Sequence, residues 1–403
     1  MYRPITEKFF PQILILISLT LLAFFPATNL NPQLFSAFAK SYQLIGIGHI
    51  GSGFADLAGV LEGANKVNSA GEYFKIDCPG TCVQYRWQYS HYLLNLPFEQ
   101  VLAQNLQLIA LIFWLLIIFV SVKFMGKVFF SPIILISFLL PANLLAYERM
   151  NIENLIYVFI PILAYFSQSK FRDYVLPVVI IALTIVKFYP LVLAVLFLVI
   201  DKFSIRRFLI YSATIGVGVV LSFPDLQAIG RSNLIAGFAG SYGLPNFLAL
   251  LSGNPNPYLA GISFVACFLG LLFCVYFIFV GLGVRIQVRA LQSEEMRLFL
   301  IASVLSIVAW LTNSNYMYRL ILVLWCLPFL IVLLKDNKKV IVLLLSSLTL
   351  GLTLIPISLS PIRNILIAQG FSILTGLFLS VMLRILNISS LSKFTRLRAK
   401  SLG

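Results

Sequence analysis

Charge is what this 403-residue chain has least of: 11% of its residues are Asp, Glu, Lys or Arg, against about 25% in a soluble domain. Only 14 residues are acidic, while 60% are hydrophobic. That balance excludes a water-soluble fold, and no polar stretch is long enough to bury an independent core of ordinary size. The sequence therefore reads as one all-α polytopic membrane domain over 1–403. A Walker motif, a Rossmann fingerprint and the metal motif of nucleotide-sugar enzymes are also missing, so nothing points to nucleotide chemistry and no cofactor is expected. No metal is expected either, because a lone Asp with no second acid beside it holds divalent cations poorly. The net charge of +15 is not laid out as a basic stripe, which argues against nucleic acid as a partner.

What the chain has in abundance is apolar runs. They fall at about 9–27, 101–122, 128–147, 152–168, 174–186, 188–200, 208–223, 259–284, 298–312, 318–334, 340–360 and 364–383, which predicts about 12 membrane helices, some short or broken. The first follows Arg3 and Lys8 like a signal peptide, but lacks a clean small-residue cleavage site and reads as an uncleaved anchor. Residues 174–200 form either one long helix or two short ones meeting at Lys187-Phe188-Tyr189-Pro190. Charge bias selects the second. It gathers Lys123, Lys127, Lys170, Arg172, Lys202, Arg206, Arg207, Arg285, Arg289, Arg297, Lys335, Lys338, Lys339 and the basic tail on one side, most of the 29 Lys and Arg, as the positive-inside rule requires. Both termini are then cytoplasmic. The loops 28–100, which carries an interfacial helix, and 224–258 face outward. So do Glu148-Arg149, Lys187, Arg231, Arg319 and Arg363, together with the acids Asp56, Glu62, Glu72, Asp77, Glu99, Glu153 and Asp225.

Of the five cysteines, Cys267, Cys274 and Cys326 lie in apolar spans and read as small buried hydrophobes. Cys78 and Cys82 flank Pro79-Gly80-Thr81, a turn that can bring their sulfurs together; in an oxidising compartment a disulfide is expected. Zinc would need two further ligands, of which His91 is one and a fourth is lacking. His49 and His91 read as solvated loop residues, a proton shuttle being the alternative for His91.

Polar residues near hydrocarbon cost about 2.5–3.5 kcal/mol at a helix centre on insertion scales, so they tend to line polar cavities. Four outward segments carry them. Gly53-Phe54-Ala55-Asp56-Leu57 is followed by Glu62-Gly63-Ala64 and Gly71-Glu72-Tyr73. Tyr147-Glu148-Arg149-Met150-Asn151-Ile152-Glu153-Asn154-Leu155 is a charged turn between two apolar runs. Val186-Lys187-Phe188-Tyr189-Pro190-Leu191 and Ser314-Asn315-Tyr316-Met317-Tyr318-Arg319-Leu320 complete the set. Their order and spacing resemble GT-C class membrane glycosyltransferases, in particular the family related to polyprenol-phosphate-mannose-dependent mannosyltransferases. Two departures stand out. Met150 occupies a position where that family tends to have Gly. The Cys78–Cys82 insert leads into Tyr85-Arg86-Trp87-Gln88-Tyr89, where the family more often shows an aromatic-Pro step, which points to a different acceptor.

The resemblance implies inverting transfer of a hexose, mannose first among candidates, from a polyprenyl-phosphate carrier to a lipid or glycan hydroxyl outside the cell membrane. Such a reaction needs a carboxylate to take the acceptor proton and cations to neutralise the departing phosphate. Asp56 is the candidate base, with an acid facing water on an interfacial helix as the alternative reading. Lys187, Arg149 and Arg319 are the candidates for the donor phosphate; snorkelling to headgroups or pairing of Arg149 with Glu148 or Glu153 are the plain alternatives. Glu148, Asn151, Tyr189, Tyr316 and Tyr318 are candidate substrate contacts, with membrane-belt anchoring as the alternative for the tyrosines. A transporter or glycolipid flippase is the competing function. Matched broken helices in two halves would mark one, and the sequence shows a single break at Lys187–Pro190 and no repeat.

Overall fold

The structure is a computed structural model. It describes residues 12–18, 20, 57, 101, 104–140, 143, 146–147, 149–200, 204–231, 241–242, 293–312, 315–334 and 360–400, with side chains at 225–231, 241–242, 312, 315–318, 360–365 and 387–400 excepted. The expected spans at 259–284 and 340–360, the loop containing Asp56, Cys78 and Cys82, and Glu148 lie outside the described residues.

Among the described residues the protein is helical apart from one two-residue strand pair. The helices are α1 (Leu106–Met125), α2 (Pro132–Phe138), α3 (Glu153–Phe166), α4 (Arg172–Val186), α5 (Val192–Ile200), α6 (Ile205–Arg231), α7 (Glu294–Thr312), α8 (Leu327–Leu334) and α9 (Ser360–Lys400). Three 3-10 segments, Gly126–Phe130, Tyr189–Leu191 and Met317–Cys326, join neighbouring helices. Three stretches are long and apolar enough to cross a membrane: Leu106–Phe130, Ile205–Pro224 and Leu366–Leu386.

Helix α6 shows the solvent for which this sequence is built. Its buried positions are Tyr211, Thr214, Gly218 and Ser222, one stripe at three- and four-residue spacing, small or polar for the most part. Its outward face carries Leu209, Val217, Val219, Val220 and Phe223, all exposed. A water-soluble helix has the reverse polarity; small and hydroxylated residues at the contact and aliphatic ones outside are the pattern of helices that pack within lipid. At Gly218 an added Cβ would come within 2.5 Å of Leu191 Cδ1, so α6 lies directly against the Leu191 side chain in the turn after α4.

The core between the helices is apolar, stitched by a few polar bonds. Ser121 of α1 shares a 2.7 Å hydrogen bond with the Tyr157 hydroxyl of α3. Trp325 Nε1 donates to the Tyr157 carbonyl at 2.9 Å, and their rings lie 5.0 Å apart. Trp114 Nε1 donates to Thr20 Oγ1 at 3.1 Å, docking the first apolar segment on α1. Away from water such bonds add to helix association.

Two polar ends close this bundle. At one, Asp173 at the start of α4 sits 3.4 Å from Arg172 and 3.3 Å from Arg207 of α6. Arg206 donates to the Tyr174 hydroxyl at 2.6 Å, and Arg297 of α7 donates to Ser167 after α3 at 3.0 Å. At the other end, the start of α3, the residues after α4 and the residues after α7 meet through Glu153, Tyr189 and Arg319. With 14, 15 and 19 residues in α3, α4 and α7, the ends are separated by about 21–28 Å of helix, close to a hydrocarbon thickness of about 30 Å.

This arrangement resolves the ambiguous segment 174–200. Helix α4 ends at Val186, Lys187 is extended at φ −150°, ψ 135°, and Tyr189 lies at the Glu153 end. Arg206 and Arg207 are back against Tyr174 and Asp173. The chain therefore turns at Lys187–Pro190 and returns to the end it left, the two-helix reading.

The structure refines three sequence expectations. The run 128–147 is not one span: α2 stops at Phe138, and Leu139 and Leu140 form turns. Leu140 precedes Pro141, and a residue before proline disfavours the α conformation. The run expected to end at Phe223 matches the apolar stretch Ile205–Pro224, and its helix continues through Pro224 to Arg231, into the segment expected as loop. Apolar helices tolerate proline where neighbours re-satisfy the freed carbonyl. The run 318–334 is 3-10 helix as far as Cys326 before turning α-helical, and Pro328 cannot donate the α-type bond that would extend α8 backward.

Candidate functional site

The site grows from the turn between α2 and α3. Met150 holds φ at +44°, the described non-glycine residue with positive φ, in the position where a glycine would sit without strain. The tight turn therefore forms with methionine. Its side chain is 2% exposed, and its sulfur lies 3.5 Å from Asn154 Nδ2, which also donates to the Ala146 carbonyl at 2.8 Å. Burial of that side chain offsets the backbone cost.

Beyond Met150, Asn151 Oδ1 accepts the Glu153 backbone N–H at 3.0 Å. An Asx turn of this kind satisfies one of the N–H groups left open at a helix start. The carbonyl oxygen of Asn151 is thus committed to starting α3, a structural duty that its candidacy as a substrate contact did not anticipate.

Glu153 follows, in the first turn of α3, with no exposed surface. Its Oε1 stands 3.0 Å from Nε of Arg319, and its Oε2 accepts a hydrogen bond from the Tyr189 hydroxyl. Arg319 is 8% exposed and Lys187 7%. For a guanidinium and an ammonium such burial is rare without partners. Segments from three separate parts of the sequence thus bring a carboxylate, a phenol and a guanidinium into one buried cluster. Lys187 enters by chain connection, two residues before Tyr189 and held extended, its N–H donating to the Leu183 carbonyl at 2.9 Å.

The remaining candidates divide by position. Arg149 is half-buried in the turn before Met150. Tyr316 takes part in the strand pair, Ser241 opposite Tyr316 and Tyr242 opposite Asn315. That pair ties the region after α6 to the strand just ahead of Arg319. Tyr318 lies in the 3-10 segment beside Arg319. Leu57 is helical and 7% exposed in the core, so the residue after Asp56 packs with the bundle. Among the described residues no three His, Cys, Asp or Glu side chains gather as metal ligands. Cys326 is a buried free thiol against Ser303 Oγ at 3.4 Å.

The buried residue at the centre of this cluster, Glu153, was not among the site candidates of the sequence reading, which named it as an outward acid and a pairing option for Arg149. The hint was its place in the charged turn, five residues after Glu148. Comparison with known proteins adds nothing to this: no family model, no curated protein and no solved structure matches the chain.

Proposed function

We propose that this chain is a membrane glycosyltransferase of GT-C type that moves a hexose, mannose as the first choice, from a polyprenyl-phosphate carrier to a lipid or glycan hydroxyl on the extracytoplasmic face. The observation that carries the reading is the buried meeting of Glu153, Tyr189 and Arg319. Three of the four resembling motifs supply these residues, and they come together at one end of an apolar bundle.

In this proposal Asp56 accepts the proton of the acceptor hydroxyl as its oxygen bonds to the anomeric carbon from the face opposite the carrier. The bond from that carbon to the phosphate oxygen breaks, and the polyprenyl phosphate leaves with the electron pair. Arg319, Lys187 and Arg149 stabilise the negative charge that develops there; cations in a site screened from water do so far better than in solution. Glu148, Asn151, Tyr189, Tyr316 and Tyr318 shape the sugar and carrier subsite. The frame is a single domain of about 12 spans with both termini cytoplasmic and the polar cluster outside.

Purified protein in lipid nanodiscs, supplied with polyprenyl-phosphate-mannose and a membrane lipid extract, is expected to transfer the sugar, and Asp56→Asn to abolish transfer. Full transfer by that variant removes Asp56 as base. Absence of transfer from several polyprenyl-phosphate sugars, with substrate-dependent flux in sealed vesicles, replaces the enzyme by a transporter.

A further inference from the structure

The proposed chemistry gives Glu153 no part, yet the cluster is organised around it. Its two carboxylate oxygens are used in different directions, Oε1 toward Arg319 Nε at 3.0 Å and Oε2 toward the Tyr189 hydroxyl. Its backbone N–H is held in turn by Asn151 Oδ1 at 3.0 Å. It has no surface of its own, so no solvent competes for either oxygen.

We infer that Glu153 is the positioning residue of the donor-phosphate site, one carboxylate that orients Arg319 and Tyr189 together. The inference rests on the glycosyl-transfer reading. The ion pair at 3.0 Å holds the charge of the guanidinium beside the start of α3, and a cation held in place is what stabilising a departing phosphate requires. Tyr189 belongs to the turn that follows extended Lys187, so anchoring its hydroxyl also fixes the backbone that carries the lysine. The carboxylate thus sets two cations from remote segments in one frame. A glutamine here keeps the volume and can still accept from Tyr189. Its second head atom then belongs to a neutral amide, and Arg319 loses the carboxylate charge at 3.0 Å.

The test uses the full chain in nanodiscs, with initial rates of mannose transfer measured against polyprenyl-phosphate-mannose concentration. Glu153→Gln is expected to raise the donor KM and lower kcat/KM by about tenfold to a hundredfold, the lower part of the range for a close charge pair. Arg319→Gln is expected to do the same, and the double variant to be no worse than Arg319→Gln alone, since the carboxylate acts through the guanidinium. A merely structural role changes the amount of folded protein, not the donor KM of what is folded. Should Glu153→Gln not fold, Tyr189→Phe removes only the hydroxyl and is expected to raise the donor KM in the same direction by a smaller factor. A native donor KM in Glu153→Gln or Tyr189→Phe, or losses that multiply in the double variant, overturns the inference while leaving the enzyme reading intact. A native chain that transfers no sugar from any polyprenyl-phosphate donor overturns the reading itself, and the inference with it.

Discussion

Replacing Arg319 by leucine is expected to destabilise the protein far more than replacing Glu153 by glutamine, although each breaks the same ion pair. At 3.0 Å between Nε and Oε1 and an effective dielectric of about 20, the attraction amounts to about 5.5 kcal/mol before desolvation is counted. The two losses differ in what they strand. With Arg319→Leu a carboxylate of zero exposure loses the guanidinium at 3.0 Å and keeps the Tyr189 hydroxyl. Leaving one charge of a buried pair uncompensated typically costs about 3–5 kcal/mol. With Glu153→Gln the stranded group is a guanidinium on a long stem whose side chain is already 9% exposed. It can swing toward water, and a loss of about 1–3 kcal/mol is expected.

The double variant decides whether this reasoning is right. Adding Glu153→Gln to Arg319→Leu removes the stranded charge, so the pair of changes is expected to be more stable than Arg319→Leu alone by about 2 kcal/mol. Equilibrium unfolding in mixed detergent micelles measures all three, followed by tryptophan fluorescence. Trp114, Trp310 and Trp325 are buried reporters at 0, 2 and 0% exposure. Equal losses for the two single variants, or a double variant that is less stable than either, would show that Glu153 is not a charge buried at this contact.

Other positions give independent checks. Met150→Gly relieves a positive φ, about 1–3 kcal/mol, but deletes a side chain only 2% exposed, about 2–5 kcal/mol for methionine to alanine alone, so a net loss of stability is expected in the same unfolding assay. Gly216→Ala meets nothing within 4 Å and is expected to stabilise α6 by up to about 1 kcal/mol. Gly218→Ala drives a methyl to 2.5 Å from Leu191 Cδ1 and is expected to destabilise; a gain at both glycines would mean that α6 does not pack on the Tyr189–Leu191 turn. Asp173→Asn removes the acid shared by Arg172 and Arg207 at the favourable N-terminal end of α4. It is expected to lower stability by about 1 kcal/mol at low salt, with the difference shrinking as ionic strength rises.

Much of the architecture was legible because lipid restricts what a sequence can do. A span needs an unbroken apolar run, and α1, α3, α4 and α7 fall within a few residues of where such runs predict them. The reversal at Lys187–Pro190 was legible for a related reason: a cation and a proline together interrupt a helix, and the charge bias on either side says which way the chain then goes. The effect of a proline was not legible in the apolar runs. Pro141 sits inside the run 128–147, and the helix stops just ahead of it. Pro224 follows the run 208–223, and α6 continues through it. Proline removes one N–H, and whether the helix survives depends on neighbours that the local sequence does not contain.

Glu153 was illegible for a different reason. A carboxylate in the first turn of a helix already has a sufficient local explanation, since it lies at the favourable end of the helix dipole. Periodicity could not correct that reading, because the stripe that α3 leaves less buried, Leu155, Phe159, Ile162, Tyr165 and Phe166, is as apolar as its buried face. A helix without a polar stripe does not show which way its first residue points. The missing information was which counter-charge arrives from elsewhere, and that partner is carried by the segment after α7. Charge accounting offered a route that pattern did not. A guanidinium near hydrocarbon must be matched by an acid close at hand, and the charged turn ahead of α3 holds two acids, Glu148 and Glu153. Of these, Glu153 is the one that opens the helix, where the Asx turn at Asn151 fixes its backbone. An acid anchored at its backbone loses less freedom when its side chain is pinned, which is a physical reason for a carboxylate that pairs with a remote guanidinium to stand at the first turn of a buried helix.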